Sequence, residues 1–324
     1  MPNKLILSEF YCWAFRPKRN KIRKLKRCAS CLHLYFKLNI RKWEMGRSRI
    51  TVSTILVLFS LNVTSVFAGT TNKDAVWHAV HNNPYRTVEE VKRDKYRNPE
   101  QVLRFFGISE TSAVGEVAPG GNWYTHILAP LLKEKGRYIG LQHNPAYYGK
   151  WPDWAKKLTA YPEKITSAAD LYGSNAIGTW LPAIEGLPVD ENSLDFVFIA
   201  RTMHNWQNQG RLENGLRQSW QILKKGGGLA IVQHREDESF TGDRKASSKR
   251  GRWKQSDLIK VVESFGFKLV ASSEMNSNPK DAKNYEKGVW TLPPSFALKE
   301  KDKDTYTKIG ESDRMTLKFV KIST

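Results

Sequence analysis

Two histidines, His204 and His234, each follow a short apolar run, Leu194 to Ala200 and Leu229 to Gln233. A neutral imidazole can take a proton from an O–H or N–H group, so either is a candidate general base. Arg201 and Arg235 stand at the ends of the same two runs, where a guanidinium could bind an anionic group or be a solvated rim charge. Trp206, with Trp123 and Tyr124, supplies aromatic surface that can wall a pocket. A third run, Ala113 to Ala118, ends in Pro119-Gly120-Gly121, a turn that lets a ligand approach the backbone. Other chemistry is missing. Cys12, Cys28 and Cys31 all precede residue 45, so the rest of the chain has no thiolate nucleophile, no disulfide and no cysteine-bound metal. Cys28-x-x-Cys31 lacks the second pair that a zinc site needs. His78, His81, His126 and His143 show no H-x-x-x-H spacing with an acidic partner, and no metal site is expected.

The positions of these residues depend on the elements around them. Residues 74–107 read as a helical lead-in, with Val88, Val91, Tyr96, Val102, Leu103 and Phe106 on helix faces, a break at Pro99 and a stop at Gly107. Strands and helices then alternate. Strands are expected over Ala113 to Ala118, Arg137 to Gln142, Ala176 to Leu181, Leu194 to Ala200, Leu229 to Gln233, Phe267 to Ser272 and Met315 to Val320. Helices are expected from Asn122 as a cap to about Glu134, from Asp153 to about Tyr172, from Arg211 to Leu223 with a stop at Gly226-Gly227-Gly228, and from Ser256 as a cap to Phe265. This alternation predicts an α/β fold: a doubly wound, mostly parallel seven-stranded sheet with helices on both faces and an antiparallel last strand. Ligands of such sheets bind beyond the carboxyl ends of the strands, near the point where strand order reverses.

Three stretches give a more specific signal. Val114-Gly115-Glu116-Val117-Ala118-Pro119-Gly120-Gly121-Asn122 resembles the E/D-x-G-x-G-x-G motif that follows strand one in the class I S-adenosylmethionine-dependent methyltransferases. Leu187-Pro188-Val189-Asp190-Glu191-Asn192-Ser193-Leu194-Asp195-Phe196-Val197 resembles that family's run into strand four. Gln221-Ile222-Leu223-Lys224-Lys225-Gly226-Gly227-Gly228-Leu229 is similar to its turn into strand five, with Lys225 where proline is usual. Trp123-Tyr124-Thr125 and Ile127-Leu128-Ala129-Pro130 look like a bacterial group of uncharacterised methyltransferases that carry signal peptides.

The resemblance implies a Rossmann-like methyltransferase fold and S-adenosyl-L-methionine as cofactor. It places Glu116, Ala118, Gly120, Gly121, Asn122, Gln142, Glu185 and Ala200 around that cofactor. Several positions depart from the family pattern. Ala118 and Pro119 replace the first glycine and its neighbour, and Asn122 takes the place of the last. Gln142-His143-Asn144 stands where an acid should hold the ribose hydroxyls, and Ala183, with Glu185 close by, stands where an acid should touch the adenine. Met203-His204-Asn205-Trp206 resembles the H-D-W of phenol and catechol O-methyltransferases, whose histidine is the general base. His204 is accordingly the expected catalytic residue, with Arg201, Trp206, His234 and Arg235 binding a small-molecule acceptor. The polar segment 235–254, with seven basic and four acidic residues, is expected to be too polar to pack and to form a mobile lid. Residues 274–313 read as a second polar insert, anchored by Trp290, Leu292 and Pro293-Pro294. The rival reading keeps the fold as a catalytically inactive binding protein of the cell envelope.

Charge distribution separates the two ends of the chain. The formal net charge is +20 over 324 residues. Residues 1–44 hold 12 of the basic and 2 of the acidic side chains, while residues 69–324 hold 38 and 30. The remaining excess is ordinary for a soluble domain, and no nucleic-acid partner is expected. Residues 45–68 read as a signal peptide: Arg47 and Arg49, an apolar stretch over 50–66, and small residues at Val66 and Ala68 before Gly69. Residues 1–44 are then either an extension ahead of the true start at Met45 or a basic arm before a signal anchor. Either way the domain is exported, periplasmic or secreted, and it meets a membrane only through residues 50–68 if they are not cleaved. The oligomeric state is not readable.

Overall fold

The computed structural model describes residues 73–322. The expected basic extension and export signal lie outside this range. Among the described residues no helix is long and apolar enough to cross a membrane.

The lead-in forms four short helices: α1 (Ala75–His81), α2 (Val88–Val91), α3 (Asp94–Arg97) and α4 (Pro99–Phe106). Asp74 caps α1 through the Trp77 N–H, and Thr87 with Glu90 forms a reciprocal capping box on α2. Pro99 opens α4 and Gly107, in the left-handed region, closes it.

The sheet follows: β1 (Ala113–Val117), β2 (Arg137–Gln142), β3 (Ile177–Trp180), β4 (Leu194–Ala200), β5 (Leu223–His234), β6 (Phe267–Ser273) and β7 (Arg314–Lys321). The strand order is β3-β2-β1-β4-β5-β7-β6. β1 to β5 pair in parallel, while β7 runs antiparallel between β5 and β6. The expected doubly wound, seven-stranded sheet is therefore present, and its last strand is the reversed one. The chain winds outward from β1 to β3 and then returns to the other side of β1 as β4. The reversal falls between β1 and β4, and a ligand cleft belongs at their carboxyl ends.

Alternation along the strands feeds two cores. On one face Val114, Phe198, Ala230 and Val232 pack with α4 and with α5 (Thr125–Leu132). On the other, Val117, Val197, Ile199, Leu229 and Ile231 pack with α9 (Met203–Asn208) and α10 (Leu212–Ile222), and with Leu258 and Val262 of α12 (Gln255–Glu263). The segment between β2 and β3 splits into α6 (Pro152–Thr159), α7 (Tyr161–Thr166) and α8 (Ala169–Tyr172), with Pro162 inside the first turn of α7.

Several local expectations need correction. Gly226, Gly227 and Gly228 do not stop α10. The helix ends at Ile222, and the glycines lie in the first part of β5, where pairing jumps from Leu194–Leu223 to Phe196–Gly228. Asn122 makes no side-chain cap: it sits in the left-handed region at φ 63°, and only its carbonyl accepts from the His126 N–H at 2.9 Å. Ser256 lies inside α12, where its hydroxyl donates to Glu238.

The segment 235–254 does pack. It contains α11 (Arg244–Lys249), capped by Asp243, and it buries Trp253 and Arg252. Arg252 makes a two-pronged ion pair with Asp281 at 2.9 Å, both side chains fully buried. Counting polar residues missed this because the polar groups are consumed by one another. The insert 274–313 holds a 3-10 turn at Gly288–Thr291 and a helix, α13 (Lys303–Ile309).

Candidate functional site

At the carboxyl ends of β1 and β4 lies a cleft of ≈ 290 Å³. Its floor is the turn after β1. Ala118, whose N–H still donates to Leu141 at 2.8 Å, adopts φ 48°, and Gly120 adopts φ 60°. Ala118 thus takes the conformation a glycine would hold, at a cost of about 1–2 kcal/mol for a residue with a Cβ. A Cβ placed on Gly121 would meet nothing within 4 Å, so this backbone faces open space. The N–H groups of Gly120 and Gly121 have no partner among the described residues. Together they make a cradle for a polar ligand group.

Glu116 lines the cleft from β1 and is buried. Its Oε2 accepts from the Thr125 hydroxyl and the Tyr138 hydroxyl, each at 2.7 Å. Burial pushes the carboxyl up to about 7, against the two hydroxyl bonds and Arg201, which favour the charged form. Tyr124 lies beside it, and burial raises its phenol to about 12, so it stays protonated.

The far wall comes from β4 and β5. Ala200, Arg201, Thr202, His204 and Asn205 line it, with His234 from the end of β5. Arg201 sits at φ 58°, locked by its N–H donating to Val232 at 2.7 Å. His204 is buried, its ring 5.8 Å from those of His234 and Trp290. Burial lowers its pKa to about 4, partly offset by Gln233. The ring is therefore neutral at pH 7, and its tautomer follows from Gln233. Nε2 of that amide donates to the Gly251 carbonyl at 3.2 Å, which fixes the amide's orientation, and it also lies 3.3 Å from His204 Nδ1. Nδ1 is then an acceptor, and the ring proton resides on Nε2. In this state His204 is a hydrogen-bond donor and not a general base. His234 Nδ1 pairs with the Ser312 hydroxyl at 2.5 Å, and burial holds its pKa well below the usual value.

The roof is not the 235–254 segment that the sequence suggested as a lid. Val289, Trp290, Pro293, Pro294 and Ser295 of the 274–313 insert cover the cleft, and none of residues 236–254 lines it. Glu311 and Ser312, just ahead of β7, close one end. Glu311 is buried and accepts from Arg93, Arg97 and Arg314 at 2.7–2.9 Å.

Of the residues expected from sequence, Glu116, Ala118, Gly120, Gly121, Ala200, Arg201, His204 and His234 meet at this cleft. Five do not. Asn122 leaves the floor in its left-handed turn. Gln142 spends its Oε1 on the His143 N–H at 2.9 Å. Glu185 is exposed on a loop, and the neighbouring Ala183 gives both backbone groups to Gln218. Trp206 is fully buried in the core beneath, against Gly215. Arg235 is held by Glu274 and Asp313 at 2.6–3.0 Å and has no free edge for a ligand.

His143 was passed over in favour of its neighbour. It lines the cleft at the end of β2, its buried Nδ1 has no partner, and burial lowers its pKa to about 4. Strand alternation could have found it, since consecutive residues at a strand end point opposite ways. Glu311 and Ser312 were also readable. An antiparallel last strand begins where the parallel strands end, so the residues before it must lie at the cleft.

No family model matches this sequence and no curated protein matches it. Among solved structures, the chain is similar to a SAM-dependent methyltransferase from Aquifex aeolicus, with 18% identity over 71% of this chain and 93% of that one and a TM-score of 0.44. It is similar to a SAM-dependent methyltransferase from Methanosarcina mazei, with 12% identity over 69% and 98% and a TM-score of 0.42. It is also similar to the cyclase SpnF, with 14% identity over 70% and 81% and a TM-score of 0.41. The fold assignment rests on the strand order and pairing described above.

Proposed function

We propose that the protein binds S-adenosyl-L-methionine in this cleft and transfers its methyl group to a small molecule held under the 288–295 roof. The observation that carries this reading is the β1 turn: left-handed at Ala118 and Gly120, with free N–H groups, at the point where strand order reverses. Glu116 and this turn would hold the amino-acid half of the cofactor. His143, neutral and lining the cleft at the end of β2, would meet the ribose hydroxyls in place of the acid that β2 lacks. When bound, the cofactor supplies an electrophilic methyl on a sulfonium. The chain's part is to align the acceptor with that methyl and to exclude water, which the Trp290 roof and Tyr124 do. His204 Nε2–H would hold an acceptor oxygen. Export by the 45–68 segment is part of the same proposal, and it requires a supply of cofactor outside the cytoplasm, where it is not made.

Trp290 gives a direct test. Titration with S-adenosylhomocysteine should change tryptophan fluorescence in the wild type and leave it unchanged in Trp290→Phe, while a bulky Gly120→Val should abolish binding. Unchanged fluorescence in a folded wild type counts against the proposal. A second reading, a binding protein with no catalysis, is favoured by one specific observation: Gln142 and Ala183 spend on the protein itself the groups that would touch ribose and adenine. Another small molecule retained through purification would support it.

A further inference from the structure

Glu311, at one end of the cleft, is more than offset by the guanidiniums packed behind it. Arg93, Arg97 and Arg314 converge on Glu311 alone, with side chains 26%, 1% and 3% exposed and the acid 4%. Arg201 adds a fourth guanidinium. Among the described residues it has no carboxylate within 4.0 Å, and its buried Nε has no hydrogen-bond partner. Burying the Nε of a cation that no carboxylate touches is costly, and so is the left-handed backbone at φ 58° that turns this residue at the end of β4. Two independent penalties at one cleft residue point to a ligand that relieves them. The third point is an inference from Gln233: with its amide facing His204 Nδ1, the ring's N–H is Nε2, on the side of the cleft. A guanidinium fork and an imidazole N–H are donors only, so their natural partner is an oxyanion.

We propose that Arg201 and His204 bind a carboxylate of the methyl acceptor. This rests on the methyltransferase reading for what the carboxylate belongs to, though not for its binding. A carboxylate acceptor also removes the need for a base. Its oxygen forms the new bond to the methyl carbon, the carbon–sulfur bond breaks with its electron pair going to sulfur, and a neutral ester and a neutral thioether result with no proton to place. The neutral Nε2–H tautomer of His204 then suits the reaction.

The test uses the full protein with acetate and inorganic phosphate as probes, against chloride at equal ionic strength, with and without saturating S-adenosylhomocysteine. Acetate should raise the melting temperature by several degrees with the nucleoside present, and the effect should vanish in Arg201→Gln and persist in the exposed Lys225→Gln. A shift of the His204 Nε2–H resonance on adding acetate to the wild type checks the site without any variant. Stabilisation by phosphate alone would make the occupant a phosphate and overturn the carboxylate. If S-adenosylhomocysteine abolishes the acetate effect, and Arg201→Gln weakens S-adenosylhomocysteine but not 5′-methylthioadenosine, the anion is the cofactor's own carboxylate and the proposal fails. Acetate binding with no nucleoside binding would sustain the anion site and remove the methyltransferase reading.

Discussion

The side-chain amide of Gln233 lies 3.3 Å from Nδ1 of His204, and the same nitrogen donates to the Gly251 carbonyl at 3.2 Å. One β5 residue therefore sets the protonation pattern of a histidine in α9. At pH 7 the ¹⁵N spectrum of His204 should show the Nε2–H tautomer, with no titration between pH 5 and 8. Gln233→Glu places an acceptor against Nδ1, so it should reverse the tautomer and raise the pKa. A wild-type ring that titrates near 6.5 would contradict this assignment.

Acid should weaken the fold. His143 and His204 are lowered from 6.5 to about 4, and His234 lies well below 6.5. Their stability contribution is whole above pH 6.5. It is lost as pH falls toward 4, because the unfolded imidazoles take up protons that the folded ones refuse. The slope is at most about 1.4 kcal/mol per pH unit for each ring. Glu116 acts with the opposite sign: raised from 4.5 to about 7, its contribution is present below pH 4.5 and gone above 7. Three groups outweigh one, so urea midpoints should fall between pH 6.5 and 5. A flat profile would mean that the rings are hydrated.

Two hydroxyls, of Thr125 and Tyr138, donate to a single oxygen of Glu116. Glu116→Gln keeps an acceptor there and should cost no more than about 1 kcal/mol, whereas Glu116→Ala orphans two buried donors and should cost about 2–4 kcal/mol in urea unfolding. Equal costs would show that the hydroxyls find other partners.

Much of the architecture was legible because it depends on periodicity. β2 and β4 fall where the apolar runs place them, and the reversed last strand was expected. The Gly226–Gly228 stretch misled because three glycines read equally well as a helix stop and as a strand bulge, and only the pairing with Phe196 decides. The roof was misplaced for a different reason. Segment 235–254 hides its charges in pairs with distant residues such as Asp281 and Asp313, and composition cannot show a pairing. Trp290 and the adjacent prolines were noted as an anchor, but nothing local says that what they anchor to is the cleft.

That reassignment predicts a mutational cost. Asp281 accepts both arms of Arg252 and the N–H groups of Lys283 and Asp313. Asp281→Ala leaves a fully buried guanidinium unpaired and should destabilise by about 3–5 kcal/mol, with new proteolytic cleavage between residues 235 and 254. A loss below about 0.5 kcal/mol, as at an ordinary surface position, would restore the picture of a mobile lid.

The central claim is that the β1 turn and His143 form a cofactor site, and calorimetric titration of the protein with S-adenosylhomocysteine tests it most directly. The account predicts one site with micromolar affinity in the wild type, weakened by His143→Ala and abolished by Gly120→Val. No heat at millimolar ligand, from protein shown to be folded, would contradict it and leave a methyltransferase-like fold that holds some other ligand.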